Sequence, residues 1–222
     1  VTVSNNTCTN HGAGMIFLSS SGNLTNVIIT DNNAGIGGGI MLSNSNPIMT
    51  DVIITNNVVQ GGPWPNGGGI FMDISAPILT NVTISNNTAG EYGGGLMLYN
   101  NSYPSLTNVT IAHNTAGFLG NGIFIHSSHS NIKNSIIWGN GIFTVYGGGA
   151  TITYSDVDGG WNDIGNINVN PLFTSPFNND YSLQPNSPCI DAGTADLNGD
   201  GINDLTNFSG SAPDMGAIEF IF

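Results

Sequence analysis

The chain has 222 residues, a net charge of −13, no arginine and a single lysine, Lys133. This length suits one domain, and so few basic side chains argue against nucleic acids and anionic membranes as partners. No run of 18 apolar residues is present, so the sequence predicts no membrane-spanning segment. Only 7% of the residues are charged, which leaves a surface of amide, hydroxyl and glycine groups. Such a surface suits a secreted or cell-surface protein.

One sequence pattern recurs along most of the chain. Its clearest copy runs from Thr80 to Leu98, and other copies begin at Thr25, Thr50 and Thr107. Two landmarks return every 25 to 30 residues and keep step with each other, a period that is typical of a solenoid. The first landmark is an asparagine, at Asn6, Asn32, Asn57, Asn87, Asn114 and Asn140, and the second is a glycine, at Gly14, Gly39, Gly69, Gly95 and Gly122.

The residues between these landmarks predict short strands. Apolar residues alternate with threonine or serine, as in Val82 and Ile84, and alternation of β-branched residues is typical of strands. About three strands fit in each copy, and each would lie about 4.8 Å from its counterpart in the next copy. We therefore predict an all-β fold: a right-handed parallel β-helix of about six coils over residues 1–155.

The repeated asparagines are expected to stack at one corner of each coil. Asparagine tolerates the left-handed backbone region, and its amide can both donate and accept along a stack. Each such bond would stabilise the fold by about 1 kcal/mol. The glycine runs are expected to allow positive φ where the next strand begins.

The first copy opens at Val1 in mid-repeat, without a polar cap or helix before it. A bare parallel coil exposes strand edges that can pair with other chains. We therefore expect either a preceding cap or a second subunit at this end, which makes end-to-end assembly a candidate.

A second feature of each coil is an apolar strand that follows the glycine. Alternate residues of a strand point in opposite directions, so one residue per coil is expected to face outward. Five such side chains form a patch too large to be left in water without a reason. We expect either the protein's own C-terminal tail, or another subunit or ligand, to cover this face. The predicted outward residues are Ile16, Met41, Phe71, Met97 and Phe124.

Residues 156–222 lose the repeat and are predicted to form a loop-rich tail that packs on the solenoid. Within the tail, residues 196–204 place oxygen-bearing side chains at alternate positions with glycine at the sixth, as a calcium loop requires. The twelfth position is Asn207 rather than glutamate, so the loop is not a complete EF-hand. We predict a structural calcium ion; the alternative is an acidic turn without an ion. The predicted ligands are side-chain oxygens of Asp196, Asn198, Asp200 and Asp204 and the carbonyl oxygen of Ile202.

The two cysteines, Cys8 and Cys189, lie near opposite ends of the chain. Three states remain open: two free thiols, an intrachain disulfide if the tail returns along the solenoid, or an interchain disulfide. Acidic residues near Trp161, including Asp156 and Asp158, form a second candidate site. They could bind an ion or a sugar, or they could form solvated turns.

Two sets of motifs resemble known families. The tail motifs at 187–193 and 212–220 are similar to those of bacterial secreted right-handed β-helix proteins of the choice-of-anchor type. The Gly-Gly-Gly-Ile and Asn-Asn-Thr-Ala repeats resemble those of chlamydial polymorphic outer-membrane proteins and related adhesins. The resemblance implies an extracellular protein without a catalytic role.

A catalytic centre is not expected. Polygalacturonate lyases with this fold resemble each other in using a basic residue beside calcium-binding aspartates, whereas Lys133 stands without neighbouring carboxylates in the sequence. Hydrolysis needs two carboxyl groups held close together, and Asp31, Asp51, Asp73 and Glu91 are scattered among turns.

We therefore predict a non-catalytic extracellular structural protein: a surface adhesin, or a fibre subunit assembled through the first coil and the apolar face. Its partner would be itself, or a host or cell-surface glycan or protein. The alternative is a polysaccharide-binding or polysaccharide-cleaving module of the pectate-lyase kind.

Overall fold

The computed structural model describes residues 1–221 and contains the predicted parallel β-helix. Twenty-three strands, numbered β1 to β23 in chain order, are joined by turns, and one short 3₁₀ helix lies in the tail. The strands form three faces, to which most coils contribute, and strands of successive coils pair in parallel. The prediction of an all-β solenoid of about six coils is confirmed.

The first face is a six-stranded parallel sheet. Its strands begin one residue after the repeated glycine in the first five coils and directly after Thr144 in the sixth. They are β2 (Met15–Leu18), β6 (Ile40–Ser43), β10 (Ile70–Asp73), β13 (Leu96–Tyr99), β16 (Ile123–Ile125) and β19 (Val145–Tyr146).

The second face is an eleven-stranded sheet made of two adjoining columns of strands. Each of the two longest strands belongs to both columns. Its strands are β1 (Thr2–Ser4), β3 (Asn23–Thr25), β4 (Ile28–Thr30), β7 (Ile48–Thr50), β8 (Ile53–Thr55), β11 (Ile78–Ser85), β14 (Ser105–Ala112), β17 (Ser130–Lys133), β18 (Ile136–Trp138), β20 (Ala150–Thr153) and β21 (Asp156–Val157).

The third face is short, with two residues from each of four coils. It comprises β5 (Asn33–Ala34), β9 (Val58–Val59), β12 (Thr88–Ala89) and β15 (Thr115–Ala116).

The register places like residues over one another. Ile84 lies opposite Ile54 on one side and Ile111 on the other, and all three side chains are fully buried. Because the period is two in every strand, the apolar residue of each pair points into the same narrow core. The interior of the solenoid is therefore a set of stacked aliphatic columns.

The six repeated asparagines form one continuous ladder. In its middle, Asn87 Nδ2 donates to Asn114 Oδ1 at 3.0 Å and to the carbonyl oxygen of Ile54 at 2.9 Å. The Asn87 backbone N–H also donates to Asn114 Oδ1. The same Nδ2-to-Oδ1 bond also joins each of the remaining neighbouring pairs: Asn6–Asn32, Asn32–Asn57, Asn57–Asn87 and Asn114–Asn140.

The left-handed residue at this corner is not the ladder asparagine but the residue before it. Asn86 has φ of 53° and His113 has φ of 55°, whereas Asn87 and Asn114 are absent from the positive-φ set. The left-handed turn at Asn86 directs the amide of Asn87 into the core, where it meets its counterparts. The predicted backbone conformation of the ladder asparagines was therefore wrong by one position.

The glycine runs serve two different steric needs. Positive φ occurs at the first glycine of a run, as at Gly93 with φ of 68°. Two residues later, a Cβ on Gly95 would lie 2.6 Å from the carbonyl oxygen of Gly122 in the next coil. The repeated glycine is therefore required because adjacent coils approach too closely for any side chain.

The stack continues beyond residue 155, because β21 pairs with β18 and Asp156 bridges to Ile167. The tail then forms an antiparallel hairpin, β22 (Phe173–Ser175) and β23 (Asp180–Leu183), around the 3₁₀ helix Pro176–Asn178. Residue 222 of the predicted tail lies outside the described residues. No helix within residues 1–221 is long and apolar enough to cross a membrane.

The tail packs on the outward side of β14 and β18. A second hydrophobic cluster joins solenoid and tail there, separate from the core inside the coils. The Ala217 N–H donates to Thr110 Oγ1 at 2.9 Å, and Asn86 Nδ2 donates to Tyr181 Oη at 3.1 Å. The buried members of the cluster are Ala112, Ile136, Phe173, Tyr181, Leu183, Cys189 and Met215.

Candidate functional site

The predicted apolar face lies on the outer side of the six-stranded sheet. Its residues are in register from strand to strand, with Phe71 opposite Met41 and Met97. Tyr146 adds a sixth position opposite Phe124. The tail up to residue 221 does not cover this face, since it packs on the eleven-stranded sheet, where Ala112 and Ile136 offer it an apolar surface. The expectation that the tail covers the apolar face was therefore wrong.

Exposure is uneven along this face. Ile16 in the first coil is 44% exposed, whereas Phe71 is 9% and Met97 4% exposed. The central side chains are therefore shielded by flanking residues, and they form the floor of a recess instead of a flat stripe.

That recess is a groove of about 280 Å³ across β6, β10 and β13. Met41, Phe71 and Met97 form its floor. Trp64 rises on one side from the 61–65 insertion and is 60% exposed, and Tyr99 lines the groove from the end of β13. We refer to this feature as the aromatic groove.

Three polar side chains, His11, Asn66 and Asp73, line the aromatic groove. Asn66 is 2% exposed, and its Oδ1 accepts the Tyr92 N–H at 2.9 Å. That bond fixes the amide, whose Nδ2 group makes no hydrogen bond within the described residues. Asp73 Oδ1 accepts from Asn100 Nδ2 at 3.1 Å. With histidine counted as neutral, Asp73 supplies the only charge among the described residues that line the groove.

Aromatic rings continue from the groove along the solenoid axis. The Tyr99 ring stacks on His126 with centroids 5.2 Å apart. Phe124 contacts Tyr92 at 4.7 Å and Tyr146 at 5.7 Å. Sequence reasoning missed Trp64, Tyr99 and Tyr146; the tryptophan in the one long insertion was the signal that could have indicated the groove wall.

The predicted calcium loop is an exposed turn in which carboxylates accept from the loop's own backbone. Asp196 accepts N–H groups of Gly199 at 2.6 Å and Gly201 at 2.8 Å. These bonds, Gly201 first, lower the pKa of Asp196, because they favour the ionised form. Both glycines have positive φ, 81° and 87°, which produces the sharp turn that the sequence predicted.

The remaining predicted ligands lie in the same turn. Asp204 Oδ2 accepts the Leu197 N–H at 2.8 Å, and Asp200 Oδ1 accepts the Ile202 N–H at 2.8 Å. Asn198 Oδ1 accepts the Asp200 N–H at 2.9 Å. Within residues 1–221, no three or more His, Cys, Asp or Glu side chains converge closely enough to hold a metal ion in this conformation.

The lone basic side chain anchors this loop to the solenoid. Lys133 Nζ, at the end of β17, donates to the carbonyl oxygen of Leu197. Next to it, Asn134 Nδ2 donates to the Thr194 carbonyl oxygen at 2.8 Å, and Asn134 Oδ1 accepts the Thr194 N–H at 2.9 Å. The loop is thus fixed at its base while its tip remains exposed.

A buried pair of titratable groups lies where the tail meets the last coils. Asp156 is fully buried, and desolvation raises its pKa to about 6, although the Val169 N–H opposes the shift. The Cys189 thiol donates to Asp156 Oδ2 at 3.4 Å, and burial raises the pKa of this thiol. The predicted ion or sugar site at this group is not formed by Asp156, whose carboxyl faces the protein interior.

Both cysteines are free thiols in the structure. Cys189 is fully buried against Asp156, and Cys8 is partly exposed in the first coil. The intrachain bridge, one of the three states left open by the sequence, is therefore not formed.

The chain belongs to the right-handed β-helix family. The family model described as "Right handed beta helix region" matches residues 1–158. One solved structure, described as "Crystal structure of pectate lyase Pel9A", is similar in fold with a TM-score of 0.47 and 14% sequence identity. The match covers 98% of this chain and 69% of that chain. No curated protein matches the sequence.

Proposed function

We propose that this protein is a non-catalytic extracellular scaffold of the adhesin type, which binds its partner through the aromatic groove. The observation that carries the proposal is a pair of rings, the exposed Trp64 and the partly buried Tyr99, beside an apolar floor that the described part of the tail leaves open. The floor lies on strands stacked in strict register, so binding would require little ordering of the backbone.

Surface retention tests this function. Beads coated with the purified protein are expected to be retained on cell or matrix surfaces, and beads coated with a Trp64→Ala variant are expected to lose most of that retention. Phe177→Ala is the matched control, because Phe177 is 99% exposed on the tail, away from the groove. Equal retention of the wild-type and Trp64→Ala beads would contradict the proposal.

A second candidate is a subunit of an extracellular fibre. It is favoured by β2, the edge strand of the six-stranded sheet, on which Ile16 is 44% and Leu18 62% exposed. Light scattering and electron microscopy over a range of concentrations are expected to show filaments that a Leu18→Lys variant cannot form. Monomers alone at high concentration would rule out this candidate.

Two further features belong to the same proposal. The 196–204 loop offers carboxylate and amide oxygens, the donors that calcium prefers, and it would hold a structural ion through Asp196, Asn198, Asp200 and Asp204 with the Ile202 carbonyl. Secretion or surface display would place the protein where calcium is abundant, and fractionation of the producing cells checks that location.

A further inference from the structure

We propose that the ligand of the aromatic groove is an uncharged glycan, recognised through the apolar faces of its sugar rings. This inference rests on the proposed binding function and narrows its partner to one chemical class. Four properties of the groove lead to it: the placement of the rings, the charge, the free polar groups and the length.

The ring placement suits a sugar. A pyranose ring has an apolar face of C–H groups and a rim of hydroxyls, so it packs on aromatic faces while its rim stays polar. Trp64 and Tyr99 line a groove whose floor is Met41, Phe71 and Met97. An apolar floor with a few placed polar groups is typical of small-ligand sites, and about 280 Å³ lies near the lower limit of their volumes.

The charge of the groove disfavours acidic sugars. No lysine or arginine is among its described lining residues, and Asp73 adds a negative charge. The whole chain carries −13. A uronate carboxylate would lose its hydration without gaining a positive partner, which is costly. The predicted alternative of a pectate-lyase-like module, whose substrate is acidic, is thus disfavoured at this site.

The polar groups left unpaired match sugar hydroxyls. Asn66 is 98% buried and its Oδ1 accepts the Tyr92 N–H, which orients the amide, while its Nδ2 makes no hydrogen bond within the described residues. The second oxygen of Asp73 also accepts no hydrogen bond within them. A hydroxyl can accept from Asn66 Nδ2, and another can donate to the Asp73 carboxylate, which gives a charge-assisted bond.

The groove is short along the axis. Its apolar floor spans β6, β10 and β13, and two strand spacings make about 10 Å. One or two sugar units fit that length, so the ligand would be bound as a short segment of a longer chain or as a terminal unit.

Titration calorimetry with a glycan panel tests the inference on the full chain. The probes are oligomers of glucose, of N-acetylglucosamine, of glucosamine and of galacturonic acid. We expect binding of at least one uncharged oligomer, no binding of galacturonate, and little change in affinity between low and high salt. Preferential, salt-sensitive binding of the cationic glucosamine oligomer, or any binding of galacturonate in the groove, would overturn it.

Two variants locate the binding. Trp64→Ala removes an exposed ring from a surface insertion and should weaken binding about tenfold or more. Asn66→Asp keeps the acceptor for the Tyr92 N–H and replaces the free donor by an acceptor, so binding should fall similarly. A carboxylate at this buried position also costs stability, so the melting temperature of the variant is measured first and binding is assayed well below it. Phe177→Ala should bind as the wild type does. Unchanged affinity in both groove variants would overturn the assignment.

Failure of this inference can be told apart from failure of the proposed function. If no glycan binds, but surface retention is still lost in the Trp64→Ala variant, the groove binds a protein partner and only the glycan assignment is wrong. If neither glycan binding nor retention depends on Trp64, both proposals are wrong.

Discussion

Each buried asparagine of the ladder satisfies backbone and side-chain groups of two coils at once. Asn87 accepts from the N–H and the Nδ2 of Asn57 and donates to Ile54 and Asn114. Its side chain is fully buried, so no water is available to replace these partners. Removing Asn87 would therefore destabilise the fold mainly through the buried groups left unpaired, and less through the net free energy of the lost hydrogen bonds.

An Asn87→Ala variant is expected to lower the free energy of unfolding by more than about 3 kcal/mol, because each unpaired buried group costs about 1–3 kcal/mol. Asn6→Ala is the matched control, since Asn6 is exposed in the first coil and should cost about 1 kcal/mol or less. Denaturant unfolding measures both. Equal effects at the two positions would contradict the ladder as a source of stability.

Asp156 makes stability depend on pH in the opposite sense to most carboxylates. Its pKa is raised to about 6 from the ordinary 3.8, so the folded state keeps a proton that the unfolded chain releases. The contribution is therefore complete below about pH 4 and is lost as pH rises to about 6. The full effect would be of order 3 kcal/mol, at 1.36 kcal/mol for each pKa unit.

An Asp156→Asn variant should remove this dependence. Asparagine keeps an oxygen for the Val169 N–H, which bonds Asp156 Oδ1 at 3.1 Å in the structure. We expect the variant to exceed the wild type in stability at pH 7 and to show a smaller loss between pH 4 and 6. Thermal unfolding across that range measures it; parallel pH profiles for the two proteins would contradict the assignment.

At the scale of strands, pairing with neighbouring coils stabilises strands that are too short to be stable alone. Most strands have only two to four residues, too few to be stable in isolation. They are held by in-register neighbours on both sides, as β10 is by β6 and β13. This pairing fixes the distance between coils, so a side chain cannot be added where the backbones of two coils are in direct contact.

A Gly95→Ala variant tests that control. Its Cβ would meet the Gly122 carbonyl oxygen at 2.6 Å, so one coil must shift from its neighbour, and we expect a loss of about 1–3 kcal/mol or more. Gly148→Ala is the control: no atom lies within 4 Å of its Cβ and its φ is not positive. Calorimetric melting compares the two. A Gly95→Ala variant as stable as Gly148→Ala would show that the coils separate freely.

On the scale of the whole molecule, hydrogen bonds and an apolar cluster attach the tail to one flank of the solenoid. Lys133 and Asn134 hold the base of the 196–204 loop, and the second hydrophobic cluster holds the hairpin. An ion in the loop would stabilise this attachment, because a ligand that binds only the folded state shifts unfolding by mass action.

Calcium at about 100 times its dissociation constant should add about 2.7 kcal/mol, or roughly 5–10 °C in melting temperature for a chain of this size. Magnesium should have less effect, because it requires stricter octahedral geometry. In an Asp200→Asn variant the response should be lost while the calcium-free melting temperature is nearly unchanged, since asparagine can still accept the Ile202 N–H. Identical melting with calcium and with EGTA would contradict a calcium site.

The sequence predicted the features that repeat. Every coil restates the same alternation, asparagine and glycine, so each local pattern is reinforced by its neighbours and the fold follows from period alone. The apolar face was likewise readable, because the strand period assigns alternate residues to opposite sides. The prediction of the left-handed residue was nevertheless wrong by one position, because asparagine suits both the left-handed conformation and the ladder.

Features that occur once were decided by tertiary structure. Trp64 and Asn66 lie in one turn and Tyr99 ends a strand of the next coil, and only the stacking of those coils brings them around one groove. The flank chosen by the tail depended on which sheet offered Ala112 and Ile136 to its aromatic residues. The periodic sequence thus determined the rod by local chemistry repeated at each coil, whereas the groove and the tail depend on contacts between distant residues that no repeat records.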